Sequence, residues 1–231
     1  MWSANGSHCE RTGGNGAAVS DVRVREQVLR LLEQVGSGLA PIVQAGDPVL
    51  RAVALPYDGE LAPEELDALL ALMFRTMAAA PGVGLAAPQI GLGVALAVVQ
   101  DPGVGLPELE AVRERTPLAP RVLVNPRYSP VDGRTVGFYE GCLSVEGYAA
   151  VVARHHGVNL VGWDERGRPF DEVLTGWPAR IVQHETDHLG GTLYLDKAEI
   201  RSLAASAGWG GHWALEPVPR TAAAELGFPL P

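Results

Sequence analysis

His184 and His188 stand four residues apart and enclose an acid, Glu185, in the run His184-Glu185-Thr186-Asp187-His188. On an α-helix such a spacing puts both imidazoles on one face, where they can meet one metal ion. Glu185 then lies beside that ion, where a carboxylate can take a proton from water. A catalytic Zn²⁺ or Fe²⁺ site has three protein ligands and one open position, so a ligand is still wanted. Cys142 is the candidate, in Glu140-Gly141-Cys142-Leu143-Ser144 directly after a strand-like run. A thiolate with two imidazoles suits a soft to borderline divalent ion and disfavours Mg²⁺ or Ca²⁺. Alone, such a cysteine is a small buried hydrophobe. The histidine pair changes that reading.

A third stretch, Gly82-Val83-Gly84-Leu85-Ala86-Ala87-Pro88-Gln89, lets a ligand approach the backbone closely and ends in a neutral amide donor. Hydrolysis by acyl transfer needs such a donor where negative charge develops on oxygen. The stretch lacks the Lys and Ser/Thr of a phosphate-binding loop.

The elements that must carry these residues can be read from periodicity. Val24, Val28, Leu31, Leu32 and Val35 recur at helical spacing over 22–35. Pro63, Glu64 and Glu65 open a second helix that runs to about Ala79 and stops at Pro81-Gly82. Residues 94–99 form a buried strand, 101–120 a loop, and further strands are expected at 121–125, 134–139, 148–153, 158–163 and 169–173. Asp164 to Gly167 supplies a hairpin-type turn. The motif helix follows Thr175 as N-cap, has Pro178 in its first turn and stops at Gly190-Gly191. Successive strands followed by one buried helix give an α+β fold, with mainly antiparallel sheets around a central helix and peripheral helices at the N-terminus. The expected organisation is a disordered tail (1–20), an extension with a peripheral helix (21–43), a catalytic domain (44–197) and a C-terminal tail (198–231).

With 231 residues, 47% hydrophobic and 19% charged, the chain can bury a proper core. Its net charge of −9 and lack of a Lys/Arg cluster argue against a nucleic-acid surface. Two cysteines, Cys9 and Cys142, make no disulfide framework. No membrane span or secretory signal is read, which makes the cytoplasm the expected location. His8, His155, His156 and His212 lack metal-ligand spacing and read as surface polar groups, and Trp209 and Trp213 as tail residues packed on the domain.

Taken together, residues 82–89, 140–144 and 183–188 resemble, in order, the three motifs of the peptide deformylases, and the similarity spans about 44–196. That resemblance implies removal of the formyl group from the N-terminal formylmethionine of nascent polypeptides, with release of formate. It implies Cys142, His184 and His188 as ligands of one divalent ion, usually Fe²⁺, which Zn²⁺, Ni²⁺ or Co²⁺ can replace. It makes Glu185 the catalytic acid/base, Gln89 and the Leu143 amide the holders of the formyl oxygen, and Gly84 a backbone contact to substrate. By family analogy Asp187 contacts neighbouring backbone or orients the site. Val83, Phe138 and Ile181, with Trp177, could wall a pocket for methionine, although core packing explains them as well. The ribosome is a further expected partner.

Two positions depart from the family pattern. Glu146 stands where Pro is usual, and Ala149 where many members carry an Arg that anchors the peptide; Arg154 or Arg180 are candidates to compensate. Two other readings stay open: an endopeptidase with a downstream third ligand, and a non-catalytic paralogue that binds nascent chains.

Overall fold

The computed structural model describes residues 16–80 and 82–231, with side chains from Arg23 onward and those of residues 209 and 211 excepted. His8, Cys9, Pro81 and the Trp209 side chain therefore lie outside the described residues, as does the expected tail up to residue 15. In chain order the elements are α1 (Gly16–Val35), α2 (Pro63–Ala79), β1 (Gly84–Ala86), β2 (Leu96–Asp101), α3 (Pro107–Arg113), β3 (Leu118–Pro130), β4 (Thr135–Cys142) and β5 (Val145–His155). Then come β6 (Gly157–Trp163), β7 (Pro169–Thr175), α4 (Gly176–Leu189), β8 (Ala204–Ala205), α5 (Ser206–His212) and α6 (Arg220–Leu226). The strands form a five-stranded sheet in the order β1-β2-β3-β6-β7 and a three-stranded sheet in the order β4-β5-β8, and all these pairings are antiparallel. The α+β expectation holds.

The larger sheet is covered on both faces, which is why β2 reads as an unbroken apolar run. Leu96 and Val98 point into a core shared with α1 and α2, through Val28, Leu69, Leu72 and Met73. Ala97 and Val99 point the other way, to Trp177, Ala179, Ile181 and Val182 of α4. The same alternation runs through β1: Leu85 faces the α2 side, while Ala86 packs toward α4. Helix α2 starts as its sequence suggests, with Pro63 in its first turn and the Glu65 carboxylate accepting from Ala62 N at 2.9 Å. Helix α1 lies outside α2, with Val24 and Val28 buried and Arg25 paired to Glu65 at 2.6 Å.

Several boundaries differ from those read in the sequence. The expected loop over 101–120 contains α3, a helix of seven residues, too short for periodicity to show. The glycine-rich stretch contributes β1, an edge strand paired to β2. Strand β4 runs on to Cys142, so the third candidate ligand sits at the end of a strand. Thr175 flanks α4 but its side chain makes no cap bond. Instead the Glu114 carbonyl accepts from Trp177 N at 3.2 Å, because Gly176 at φ +63° brings the helix start against Glu114.

The weakly patterned C-terminal stretch forms β8, α5 and α6. It covers the face of the smaller sheet turned away from α4, where Tyr139, Ala149 and Val151 pack against Ala222 and Phe228, with Trp213 alongside. Arg113 donates to the carbonyls of Glu216 and Pro217 at 2.9 and 3.2 Å and ties this segment to α3. No helix among the described residues is long and apolar enough to cross a membrane. Phe228 is 5% exposed, so Phe228→Ala should lower the unfolding free energy in urea by about 3 kcal/mol, the low end for a buried phenylalanine.

Candidate metal centre

Helix α4 presents His184 and His188 from one face, with ring centroids 5.0 Å apart. Strand β4 delivers Cys142 beside them. Its Sγ lies 3.3 Å from His188 Nε2, and the three donor atoms of Cys142, His184 and His188 all lie within 4.8 Å of one another. A Zn²⁺-like ion with bonds of about 2.0–2.3 Å keeps its ligand atoms roughly 3–4 Å apart, and this group fits such an ion. Among the described residues it is the group of three that could hold one. An endopeptidase would need its third ligand downstream of the helix; here the third donor comes from the strand before it.

Strand alternation explains what else reaches the site. Phe138, Glu140 and Cys142 lie two apart on β4, facing α4, while Tyr139 faces the C-terminal segment. Glu140 Oε2 accepts from His184 Nδ1 at 2.9 Å, which leaves Nε2 free for an ion. Arg154 Nε and Nη2 grip the same carboxylate at 2.6 and 2.8 Å, and Arg154 Nη1 reaches Asp187 at 2.7 Å. Arg180 Nη1 donates to Glu140 at 2.5 Å and to the Val152 carbonyl at 3.0 Å. Asp187 also accepts from Tyr128 Oη at 2.9 Å and from Lys197 Nζ at 2.6 Å. Asp187 is therefore a node between side chains rather than a backbone contact.

Two sequence readings are corrected by this network. Arg154 and Arg180, candidates to anchor a substrate, are 2% and 3% exposed and engaged by buried carboxylates. Neither guanidinium is available to a peptide. His155 and His156 are half-buried rather than surface groups: Gln183 holds both backbone polar groups of His155, and His156 Nε2 pairs with Glu114 at 2.9 Å. Glu140 was not singled out, although its place two residues before Cys142 on a strand was a usable signal. Arg154, Arg180, Tyr128 and Lys197 had no such signal as partners of Glu140 and Asp187, because those contacts join residues far apart in sequence.

Electrostatics support a cation at this spot. Burial alone would raise the Glu140 carboxyl, but the Arg154 and Arg180 charges override it and hold the group well below its usual range. Burial favours a neutral ring at His184, yet hydrogen bonds to Cys142 and Glu140 raise it to about 10. The same field favours a divalent ion, which displaces that proton on binding. Burial, helped by the His184 charge, pushes His188 well below 6.5, the neutral form that ligates metals. Burial raises the Glu185 carboxyl to about 7, and its Oε2 is buried without a partner among the described residues.

Gly84 explains where Glu185 sits. A Cβ built on Gly84 would fall 2.2 Å from Glu185 Oε1 and 2.5 Å from Cδ, so the glutamate lies flat against bare backbone. Gln89, in a 3₁₀ turn over Ala87–Ile90, is fixed by Ala86 N donating to its Oε1 at 2.8 Å. That bond orients the amide, whose Nε2 points to Cys142 Sγ at 3.5 Å. Leu143 follows Cys142 directly and is half-buried. Phe138, Ile181, Trp177 and Val83 gather in one apolar cluster, with Phe138 and Trp177 rings 5.9 Å apart.

Gly84→Ala should displace Glu185 and cut turnover by about a hundredfold or more, because an ångström of misplacement costs that much. Bound metal, measured by elemental analysis, should be unchanged. Acid stability gives a second test. Since the folded-state pKa of Glu140 is depressed, its stabilisation is full above the ordinary value of 4.5 and is lost as pH falls below it. Glu140→Gln should be destabilised at pH 7, and its urea midpoint should fall less than that of wild type between pH 5 and 3.

Comparison with known proteins bears on these residues together. Residues 39–203 match the family model described as polypeptide deformylase. Peptide deformylase 1 of Streptomyces coelicolor is 56% identical over 210 residues, which cover 91% of this chain and 95% of that one. The peptide deformylase of Bifidobacterium adolescentis is 49% identical over 211 residues, covering 91% and 96%. Among solved structures, the Met-Ala-Ser-bound class I type b peptide deformylase of Acinetobacter baumannii superposes with a TM-score of 0.62 at 31% identity, over 70% of this chain and 99% of that one.

Proposed function

The chain belongs to the peptide deformylase family and removes N-formyl groups from newly made proteins; from that premise we propose how its own residues do so. The reading rests on one observation: a Cys/His/His donor group with a buried carboxylate and a fixed amide donor beside it. Cys142, His184 and His188 would hold the divalent ion, which when bound supplies the Lewis acidity that makes water a nucleophile near neutral pH. We assign that ion as Fe²⁺, with Zn²⁺, Ni²⁺ and Co²⁺ able to use the same donors, because thiolate and imidazole serve them all.

Glu185 takes the proton of the attacking water. A carboxyl raised to about 7 suits this task, since it accepts a proton and releases it again at neutral pH. As the formyl carbon becomes tetrahedral, Gln89 Nε2 and the Leu143 amide donate to the oxygen that gains charge. Because Gln89 Oε1 is already engaged by Ala86 N, the amide needs no reorientation at that moment. Glu185 then gives its proton to the leaving nitrogen, the C–N bond breaks, and formate and a free amino terminus result.

Gly84 offers its backbone to the substrate, and Val83, Phe138 and Ile181 with Trp177 receive the methionine side chain; their gathering into one apolar cluster supports this role. The substrates are N-formylmethionyl nascent chains, and we assign the enzyme to the cytoplasm, with the ribosome that presents those chains as its partner.

The test is formate release from a formyl-Met peptide by protein loaded with Fe²⁺ under anaerobic conditions. Glu185→Gln should keep its metal and lose about 10²–10⁴-fold in kcat, the usual worth of a positioned acid/base. A wild-type kcat in that variant would remove Glu185 from the mechanism.

A further inference from the structure

Residues 43–45 cross between the two stretches that carry the formyl-oxygen donors. Val43 N donates to the Gln89 carbonyl at 2.9 Å, and Ala45 N donates to the Ser144 carbonyl at 2.7 Å. Between them Gln44 turns its carboxamide onto the turn after Cys142. Its Nε2 donates to the Leu143 carbonyl at 3.0 Å, and its Oε1 accepts from Glu146 N at 3.1 Å. One side chain thus closes the turn from Leu143 to Glu146, while the backbone on either side ties that turn to Gln89.

Glu146 matters to this arrangement through its backbone. It stands where the resembled family usually has Pro, and Pro has no N–H to donate. Gln44 and the non-proline residue at 146 therefore work as a pair. Gln44 is exposed, so water can replace its bonds at little cost in stability. What the bonds supply is orientation: the plane of the Leu143 carbonyl is fixed, and with it the direction of the turn that carries the Leu143 amide.

We propose that Gln44 is a positioning residue for deformylation, aiming the Leu143 amide and setting its separation from Gln89. This rests on the assignment of those two groups to the formyl oxygen. Gln44 touches no reacting atom; it acts through Leu143. The expected signature is a loss in kcat without a matching loss in stability or metal.

Gln44→Met keeps the length of the side chain and removes both bonds. In the metal-loaded full chain, with a formyl-Met tripeptide, kcat should fall about ten- to a hundredfold, as misplacement of a catalytic donor costs that much. KM, bound metal and Tm should stay at wild-type values, and the Glu146 amide should exchange with deuterium faster. Glu146→Pro should lose a similar factor, and the double variant should be no worse than either single one. Should Glu146→Pro fail to fold, kcat and amide exchange in Gln44→Met decide alone. A Gln44→Met kcat within twofold of wild type, while Gln89→Ala loses a hundredfold or more, overturns the role of Gln44 and leaves the oxygen site standing. A kcat loss that tracks lost metal or lowered Tm overturns it too. If Gln89→Ala also keeps the wild-type rate, the oxygen-site assignment falls and takes this inference with it.

Discussion

Glu140 is a buried carboxylate held by two arginines and a histidine, and the site depends on that arrangement. Taking such an ion from water costs several kcal/mol unless paired charges and hydrogen bonds compensate it. Arg154, Arg180 and the His184 Nδ1–H fill its two oxygens. These partners come from β5 and α4, while Glu140 itself is on β4. The same bonds that neutralise the charge therefore lock the motif helix against the smaller sheet, and Cys142 rides on that sheet two residues away. Arg154 extends the lock to Asp187 on the following turn, and Lys197 and Tyr128 complete it. The two histidines and the cysteine meet because their supports are one network.

Close approach on the other side comes from small residues rather than charges. Bare backbone at Gly84 and short side chains at Ala86 and Ala97 line the sheet where α4 crosses it. Glu185 uses the space that Gly84 leaves, which puts a carboxylate in a dry environment and raises its pKa toward the working range of a general base. A larger residue at Gly84 would displace the Glu185 side chain and undo both effects.

The position of Ala149, where an anchoring Arg is common in the resembled family, has a structural counterpart in this chain. Ala149 is 4% exposed and pairs with Ala204 of β8, under the packing of Ala222 and Phe228. An arginine there would meet the C-terminal segment. Alanine at 149 and the segment that covers it are thus mutually compatible, and the buried arginines nearby serve the protein rather than a substrate.

Much of the site was legible because its parts are local. The four-residue spacing of His184 and His188, the acid between them, and the glycine-rich run ending in Gln89 state their chemistry in a few adjacent letters. The α+β class followed from successive strand-like runs followed by one buried motif helix. By contrast, α3 and the C-terminal helices were too short for periodicity to reveal. The sequence by itself determined which atoms could bind a metal, move a proton and hold an oxyanion, because those are properties of side chains and of helix and strand repeat. Only the tertiary structure decided that Glu140 orients His184, that Arg154 and Arg180 are structural, and that residues 43–45 tie the oxygen-site turns together. Those are contacts between residues far apart in the chain, and their energies exist only after burial has removed water and brought the partners within bonding distance.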